Sequence, residues 1–307
     1  LHDFIYVDDI MSGCGTEEMR DQEIQEVTTV LASGGFTLKY VVKSGESLDG
    51  NDILKVLGYK WNTLGDTFSP GFGEVNFNKK KRGIKPSNPF PVTTIDDVSK
   101  LMNGLDITRR IVVSKIAEFW EPVGIWEPIK VQMKLGAQSL NGLNWDSPLK
   151  QDLQEYWHER FKDLIEIPKM FVPRFVFPED TLPGRNIRLL CVSDAAASMG
   201  GAAIYAGVKL QDNTYSCQLL TSKSKMMSNS IPRNELEAIR IGAKLAYDVK
   251  NILGNKVSEI YFFTDSQVAL SWCLNTEKKL RLFVVNRVSE IRRIINAITP
   301  KSDQLPI

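Results

Sequence analysis

The spacing of apolar residues changes character along the chain. Residues 4–12 place β-forming side chains on both sides of Asp8 and Asp9, a pattern that predicts a hairpin with two carboxylates at its tip. Thr16, Glu17 and Glu18 supply an N-cap and an acidic first turn. Ile24, Val27 and Leu31 then recur at helical spacing before Gly34 and Gly35, so a helix with a buried stripe is expected. TLKYVV (37–42) and ILKVLGYKW (53–61) read as strands, separated by the turn-rich SGESLDGND. Glycines and prolines crowd residues 65–94 and predict a loop or linker, with the basic run Lys79 to Arg82 inside it.

From 94 to 165 the period is helical. Ile107, Ile111, Ile116 and Trp120 form one stripe, Ile129, Met133 and Leu140 a second, and Leu149, Leu153, Trp157 and Phe161 a third. Ser147 and Pro148 suit the N-cap and first position of the last helix. Residues 167–186 hold four prolines and read as a connector. The period then shortens: IRLLCVSDA, GAAIYAGVKL and TYSCQLLTS predict three successive strands with short turns. A helix from about Pro232 to Leu253, the strand EIYFFTD and further helical segments follow. Three antiparallel strands before alternating helix and strand predict a mixed α/β domain.

Charge divides the chain where hydropathy alone does not. Overall it carries 38 basic and 37 acidic residues, but residues 1–185 hold 22 basic and 27 acidic ones, whereas residues 186–307 hold 16 and 10. The C-terminal part is therefore the expected partner of a polyanion. A hydrophobic share of 43% excludes a disordered tail. Four scattered cysteines, with no CxxC pair, indicate neither a disulfide framework nor a zinc site. With no apolar run long enough to span a membrane and no signal peptide, the expectation is a soluble intracellular protein, cytoplasmic or nuclear, without a membrane partner.

The candidate chemistry lies in carboxylates. Only His2 and His158 are present, so a Ser/His or Cys/His nucleophile has little support, and no phosphate-binding glycine loop of the P-loop or dinucleotide type occurs. Two-metal phosphoryl chemistry requires acidic oxygens that converge on hard cations. Asp194 closes one predicted strand, Asp265 closes another, and Glu235 lies near the start of the helix between them. Glu235 shares its helical face with Ile239, Gly242 and Ala246, whereas Glu237 shares its face with Ile241, Lys244 and Asp248. The first face suits a sheet, so Glu235 is expected to be a ligand and Glu237 a surface residue. Each acid has a second reading: Asp265 as a helix N-cap, Asp194 as a turn former, Glu235 as a favourable charge at a helix N-terminus.

At YVDD (6–9) the chain resembles the metal-binding hairpin of reverse transcriptases. GGFTLKY and VLGYKWN resemble the next palm segments, with the Gly-x-x-Trp turn where a primer grip would sit. ITRRIVVSKIAEFWEPVGIWEPIKVQMK and NWDSPL resemble the helical region of Pao-type (BEL/Pao) retrotransposon polyproteins. VSDAAAS, SIPRNELEA, YFFTDSQVALSW and FVVNRVSEI resemble the ribonuclease H-like domain of the same elements.

The resemblance implies an α/β and α+β multidomain chain with three parts. These are the C-terminal part of a reverse transcriptase palm (1–65), a linker and helical thumb or connection (66–185), and a ribonuclease H-like mixed-sheet domain (186–307). It further implies Mg²⁺ (or Mn²⁺) held by Asp194, Glu235 and Asp265 for hydrolysis of the RNA strand of an RNA–DNA hybrid, and by Asp8 and Asp9 for polymerisation. Fingers and an earlier palm strand would precede Leu1, so polymerase activity is expected only within a longer pol polyprotein. The family's fourth nuclease acid has no clear match, Asp303 being a weak substitute. Lys278, Lys279, Arg281, Arg287, Arg292 and Arg293 are candidates for holding phosphate backbones, or else form a solvated basic face. The competing expectation is an inactive, degenerate or domesticated remnant that binds nucleic acid or protein.

Overall fold

The computed structural model describes residues 5–6, 9–71, 74–78, 82–119, 123–176, 186–275 and 279–299. They divide into two compact units, residues 1–74 with 166–174, and residues 75–165 with 175–307.

In the first unit, β1 (Ile5–Tyr6) and β2 (Asp9–Ile10) form the expected hairpin, with Tyr6 opposite Asp9. Helix α1 (Glu17–Ser33) starts at Thr16, whose hydroxyl accepts from the Met19 amide, and ends at Gly34. Its stripe departs from expectation: Ile24, Val27 and Leu31 are only half-buried, and the helix has no fully buried residue. Residues 37–42 form no strand either. A strand exists only as a hydrogen-bonded ladder, and among the described residues none pairs with this segment; Tyr40 and Val41 are exposed.

The stretch 53–61 is not one strand but a hairpin of β3 (Ile53–Val56) and β4 (Tyr59–Asn62). Leu57 (φ 49°) and Gly58 (φ 84°) both take positive φ, as a two-residue type I′ turn requires. A further strand, β5 (Thr67–Pro70), arises inside the breaker-rich segment and pairs with β4 and with β6 (Val172–Pro173). Arg174 fastens this end with two hydrogen bonds to the Asp66 carboxylate, at 2.7 and 2.8 Å. Of the basic run 79–82 only Arg82 is described, and it is exposed.

The second unit opens with four helices, α2 (Ile95–Met102), α3 (Arg109–Glu118), α4 (Glu127–Gln138) and α5 (Gln151–Lys162). Thr94 and Asp97 close a reciprocal capping box on α2, and Thr108 caps α3. Val98, Met102, Ile107, Trp157, Phe161 and Leu164 are essentially inaccessible and form the core under these helices; Trp120 lies outside the described residues. Helix α5 begins at Gln151, not at Pro148. Pro148 bridges to Thr108, and the Leu149 amide donates to the Ile107 carbonyl at 2.9 Å, so 148–149 are held extended.

The sheet of this unit contains β7 (Ile187–Ala195), β8 (Met199–Lys209), β9 (Tyr215–Met226) and β10 (Val257–Phe263), in the order β10-β7-β8-β9. β10 runs parallel to β7, while the other pairs are antiparallel. Burial alternates along β7, with Ile187, Leu189 and Cys191 on the covered face. Helix α6 (Ile231–Leu253) lies across β7 and β8, with α7 (Gln267–Leu274) and α8 (Leu282–Ile298) packed on its other side. The close approach is made at Gly242, where an added Cβ would stand 2.6 Å from Cys191 Sγ and 3.2 Å from Ala202 Cβ. The β9 edge is covered: the Ser222 amide and Thr221 hydroxyl donate to the Val123 carbonyl at 3.0 and 2.6 Å, and Ser224 donates to Glu127 of α4 at 2.5 Å.

Candidate metal centre

The strand register places the site. Phe263 of β10 is the parallel partner of Val192 of β7, so Asp194 and Asp265, each two residues further on, emerge at the same end of adjacent strands. Ser193 ties the two ends together by donating to the Phe263 carbonyl at 3.3 Å. Helix α6 delivers the third acid from its first turns, Pro232 standing near its start. Oxygens of Asp194, Glu235 and Asp265 all lie within 4.8 Å of one another.

Asp194 and Asp265 are exposed, whereas Glu235 is buried at 8% exposure. Ser266 caps α7, its hydroxyl accepting from the Ala269 amide, so Asp265 is not needed as the N-cap. Asp194 Oδ1 accepts from the Ala195 amide at 2.6 Å. Glu235 Oε2 is buried and has no hydrogen-bond partner among the described residues. Burial and then the neighbouring charges of Asp194 and Asp265 push its carboxyl above the usual range, against the pull of the Ala195 amide. Three close carboxylates with an orphaned buried oxygen form an all-oxygen donor set that fits a hard divalent cation.

Glu237 departs from expectation. It is 4% exposed, not a surface residue, and it pairs with Arg240 at 2.5 Å and Lys225 at 3.0 Å, with Arg287 Nε at 3.5 Å. Burial alone would raise its pKa, but hydrogen bonds from Arg240 and Lys225 bring it down to about 2. Residues 234–239 are all buried, because the sheet covers one side of α6 and α8 the other. Facial arithmetic therefore separates the two glutamates only once the cations are seen: Glu235 faces carboxylates and Glu237 faces guanidinium and ammonium groups.

The remaining expected residues are not part of this cluster. Asp9 is exposed on the hairpin of the first unit, Asp8 lies outside the described residues, and no metal-ligating group of three or more among the described residues includes Asp9. Lys279, Arg281 and Arg293 are exposed, and Lys278 and Asp303 lie outside the described residues. Arg287 lies over the Phe283 ring at 4.5 Å. Arg292 turns inward: it is 8% exposed and donates to the carbonyls of Cys273 at 3.0 Å and Asn275 at 2.6 Å. Sequence reasoning also missed Asn234, wholly buried beside Glu235; its signal was an amide in the apolar stripe of a helix.

The family model for the Pao retrotransposon-like RNaseH-like domain matches residues 108–266, just over half the chain, a span that contains all three acids. No curated protein matches. Among solved structures, the chain is similar to RNase H1 from the halophilic archaeon Halobacterium salinarum NRC-1, with 14% identity over 38% of this chain and 87% of that one and a TM-score of 0.26. The N-terminal RNase H domain of a Mycobacterium tuberculosis protein gives 13%, 39%, 86% and 0.26 in the same order. A foamy viral protease-reverse transcriptase (dRH) in complex with double-stranded DNA gives 14% identity and a TM-score of 0.44 over 93% of this chain, which spans 43% of the viral one.

Proposed function

We propose that this chain, which belongs to the Pao retrotransposon-like RNaseH-like domain family, hydrolyses the RNA strand of RNA–DNA hybrids through its C-terminal part, residues 186–307, with a divalent cation, Mg²⁺ or Mn²⁺. One observation carries this function: Asp194, Glu235 and Asp265 bring their oxygens within 4.8 Å of one another around a buried, unpartnered Glu235 Oε2. Such a cation, when bound, supplies Lewis-acid stabilisation of charge developing on phosphate oxygens. Asp194 and Asp265, exposed at the strand ends, hold it where a nucleic-acid backbone can approach, and the buried Glu235 adds the third carboxylate. Lys279, Arg281 and Arg293 supply sequence-independent attraction to the phosphates, in keeping with the net positive charge of residues 186–307.

In the same reading, residues 1–65 are a palm fragment, supported by the β1–β2 hairpin, residues 66–185 a connection, and residues 186–307 the nuclease. Asp8 and Asp9 serve polymerisation only with the rest of a pol polyprotein.

The test is cleavage of a labelled RNA–DNA hybrid by the purified chain, with and without Mg²⁺ or Mn²⁺, beside Asp194→Asn and Asp265→Asn. Metal-dependent cleavage lost in both variants is expected. A folded, hybrid-binding chain that cleaves nothing would instead favour an inactive binding module.

A further inference from the structure

Asn234 occupies the fourth position of α6, inside the run of buried residues, and has no exposed surface. Asparagine is a poor choice there on helical grounds, since its side chain competes for backbone groups and Leu or Ala would favour the helix more. What it does instead is specific. Its Nδ2 donates to the carbonyls of Ala196 at 2.9 Å and Ala197 at 3.0 Å, and its Oδ1 accepts from the Asn229 amide at 3.2 Å. Ala196 and Ala197 form the turn that follows Asp194, and Asn229 precedes the helix that carries Glu235. The same turn is held on its other flank, where the Met227 amide donates to the Ser198 carbonyl at 2.9 Å.

We infer that Asn234 is a positioning residue for the metal centre: its amide staples the turn after Asp194 to the first turns of α6 and so fixes the separation of the Asp194 and Glu235 carboxylates. The inference rests on the proposed metal site. Two acids supplied by a strand end and a helix start are joined through the chain only by the long excursion of β8 and β9. Their mutual approach must therefore be set by tertiary bonds. Gly242 sets the height of the helix above the sheet, but Gly242 lies two turns away from Glu235, and the apolar packing of the helix start is not directional. Asn234, adjacent to Glu235 in sequence and bonded two residues beyond Asp194, adds directed bonds at that end. An amide is suited to the task because it gives two hydrogens to two consecutive carbonyls while accepting one from elsewhere.

The experiment is calorimetric titration of the full chain with Mn²⁺, using wild type, Asp194→Asn, Asn234→Ala and Asn234→Leu, with a thermal melt of each metal-free protein. Ala is smaller and Leu larger than the native side chain, while Leu keeps the Cγ branch and improves helix propensity, so a loss shared by both variants is not that of a single packing defect. Wild type is expected to bind, Asp194→Asn to lose binding, and both Asn234 variants, folded at the assay temperature, to bind about tenfold or more weakly, as when partners that orient metal ligands are removed. Wild-type binding that Asp194→Asn abolishes but both Asn234 variants retain would overturn the positioning role alone. Both Asn234 variants unfolded at the assay temperature would also overturn it, assigning the residue to the stability of the fold. A wild-type chain that binds no Mn²⁺ would overturn the metal site itself.

Discussion

Replacing Glu235 by Gln is expected to stabilise the metal-free protein while removing most of its response to Mg²⁺. At neutral pH three carboxylates stand with oxygens within 4.8 Å of one another. A pair of unit charges at that distance repels by about 0.9 kcal/mol at the dielectric of water and by about 3.5 kcal/mol at an effective value of 20. Asp194 and Asp265 are open to solvent, so the lower figure applies and two relieved pairs are worth about 2 kcal/mol. For a unit of this size that raises the melting midpoint by about 4–8 °C.

The pH dependence follows from the raised Glu235 pKa. A carboxyl whose folded value lies above its unfolded value of 4.5 adds stability below 4.5 and loses it as pH rises through the folded value. The advantage of Glu235→Gln should therefore be absent below 4.5 and open as pH rises. Thermal melts in a chelator at pH 4 and 7.5, repeated with Mg²⁺, measure both effects. A Gln variant that melts at or below wild type in chelator at pH 7.5, or that Mg²⁺ stabilises as much as wild type, would refute the electrostatic account of the site.

Other perturbations separate the roles of neighbouring residues. Gly242→Val forces a side chain against Cys191 and Ala202; a loss of about 1–3 kcal/mol in denaturant unfolding is expected, with weaker metal binding in a Mg²⁺ titration as α6 lifts from β7. Arg292→Met should cost about 2 kcal/mol through the abandoned Cys273 and Asn275 carbonyls and leave the salt dependence of hybrid binding unchanged. Combined replacement of Lys279, Arg281 and Arg293 by Ala should do the reverse, lowering the slope of log affinity against log salt by about 0.9 for each phosphate no longer neutralised. Burial moves Lys115 from 10.5 down to about 8 although Glu118 pulls it up. Its depressed value makes the charged form a cost that is full below about pH 8 and relieved towards 10.5, so the stability difference between wild type and Lys115→Met should shift in favour of wild type across that window. A difference that stays flat in pH-dependent unfolding would contradict the assignment.

The elements of the second unit were legible because nearest-neighbour rules govern them. Alternating burial along β7 and the apolar face of α6 depend on residues close in sequence. Asp194, Glu235 and Asp265 could be selected because two strands, once assumed to lie side by side, bring the aspartates at their ends together. Where a property depends on what packs alongside, the chain alone was insufficient. Residues 37–42 have strand composition but no ladder, since a strand needs a partner. The sequence Leu57-Gly58 reads as strand interior until both residues are seen at positive φ. Ser147 and Pro148 offer a good helix start, yet a bridge to Thr108 holds Pro148 outside the helix.

Glu235 and Glu237 make the same division within one helix turn. Periodicity selected Glu235, but its faces are not kept: Ile239, placed on the Glu235 face, packs with α7 and α8, and Ile241, placed on the Glu237 face, packs towards the sheet. Nor could it determine that Glu237 is buried as well, because that required Lys225 from β9 and Arg287 from α8 to arrive beside it. Arg292 likewise belongs by composition to a basic surface and by packing to the interior. The sequence by itself thus determined most of the segments that become strands and helices in the second unit and which acids could meet. Only the tertiary structure decided which charges are neutralised by cations and which are left facing one another, since electrostatic energy depends on distances across elements far apart in the chain.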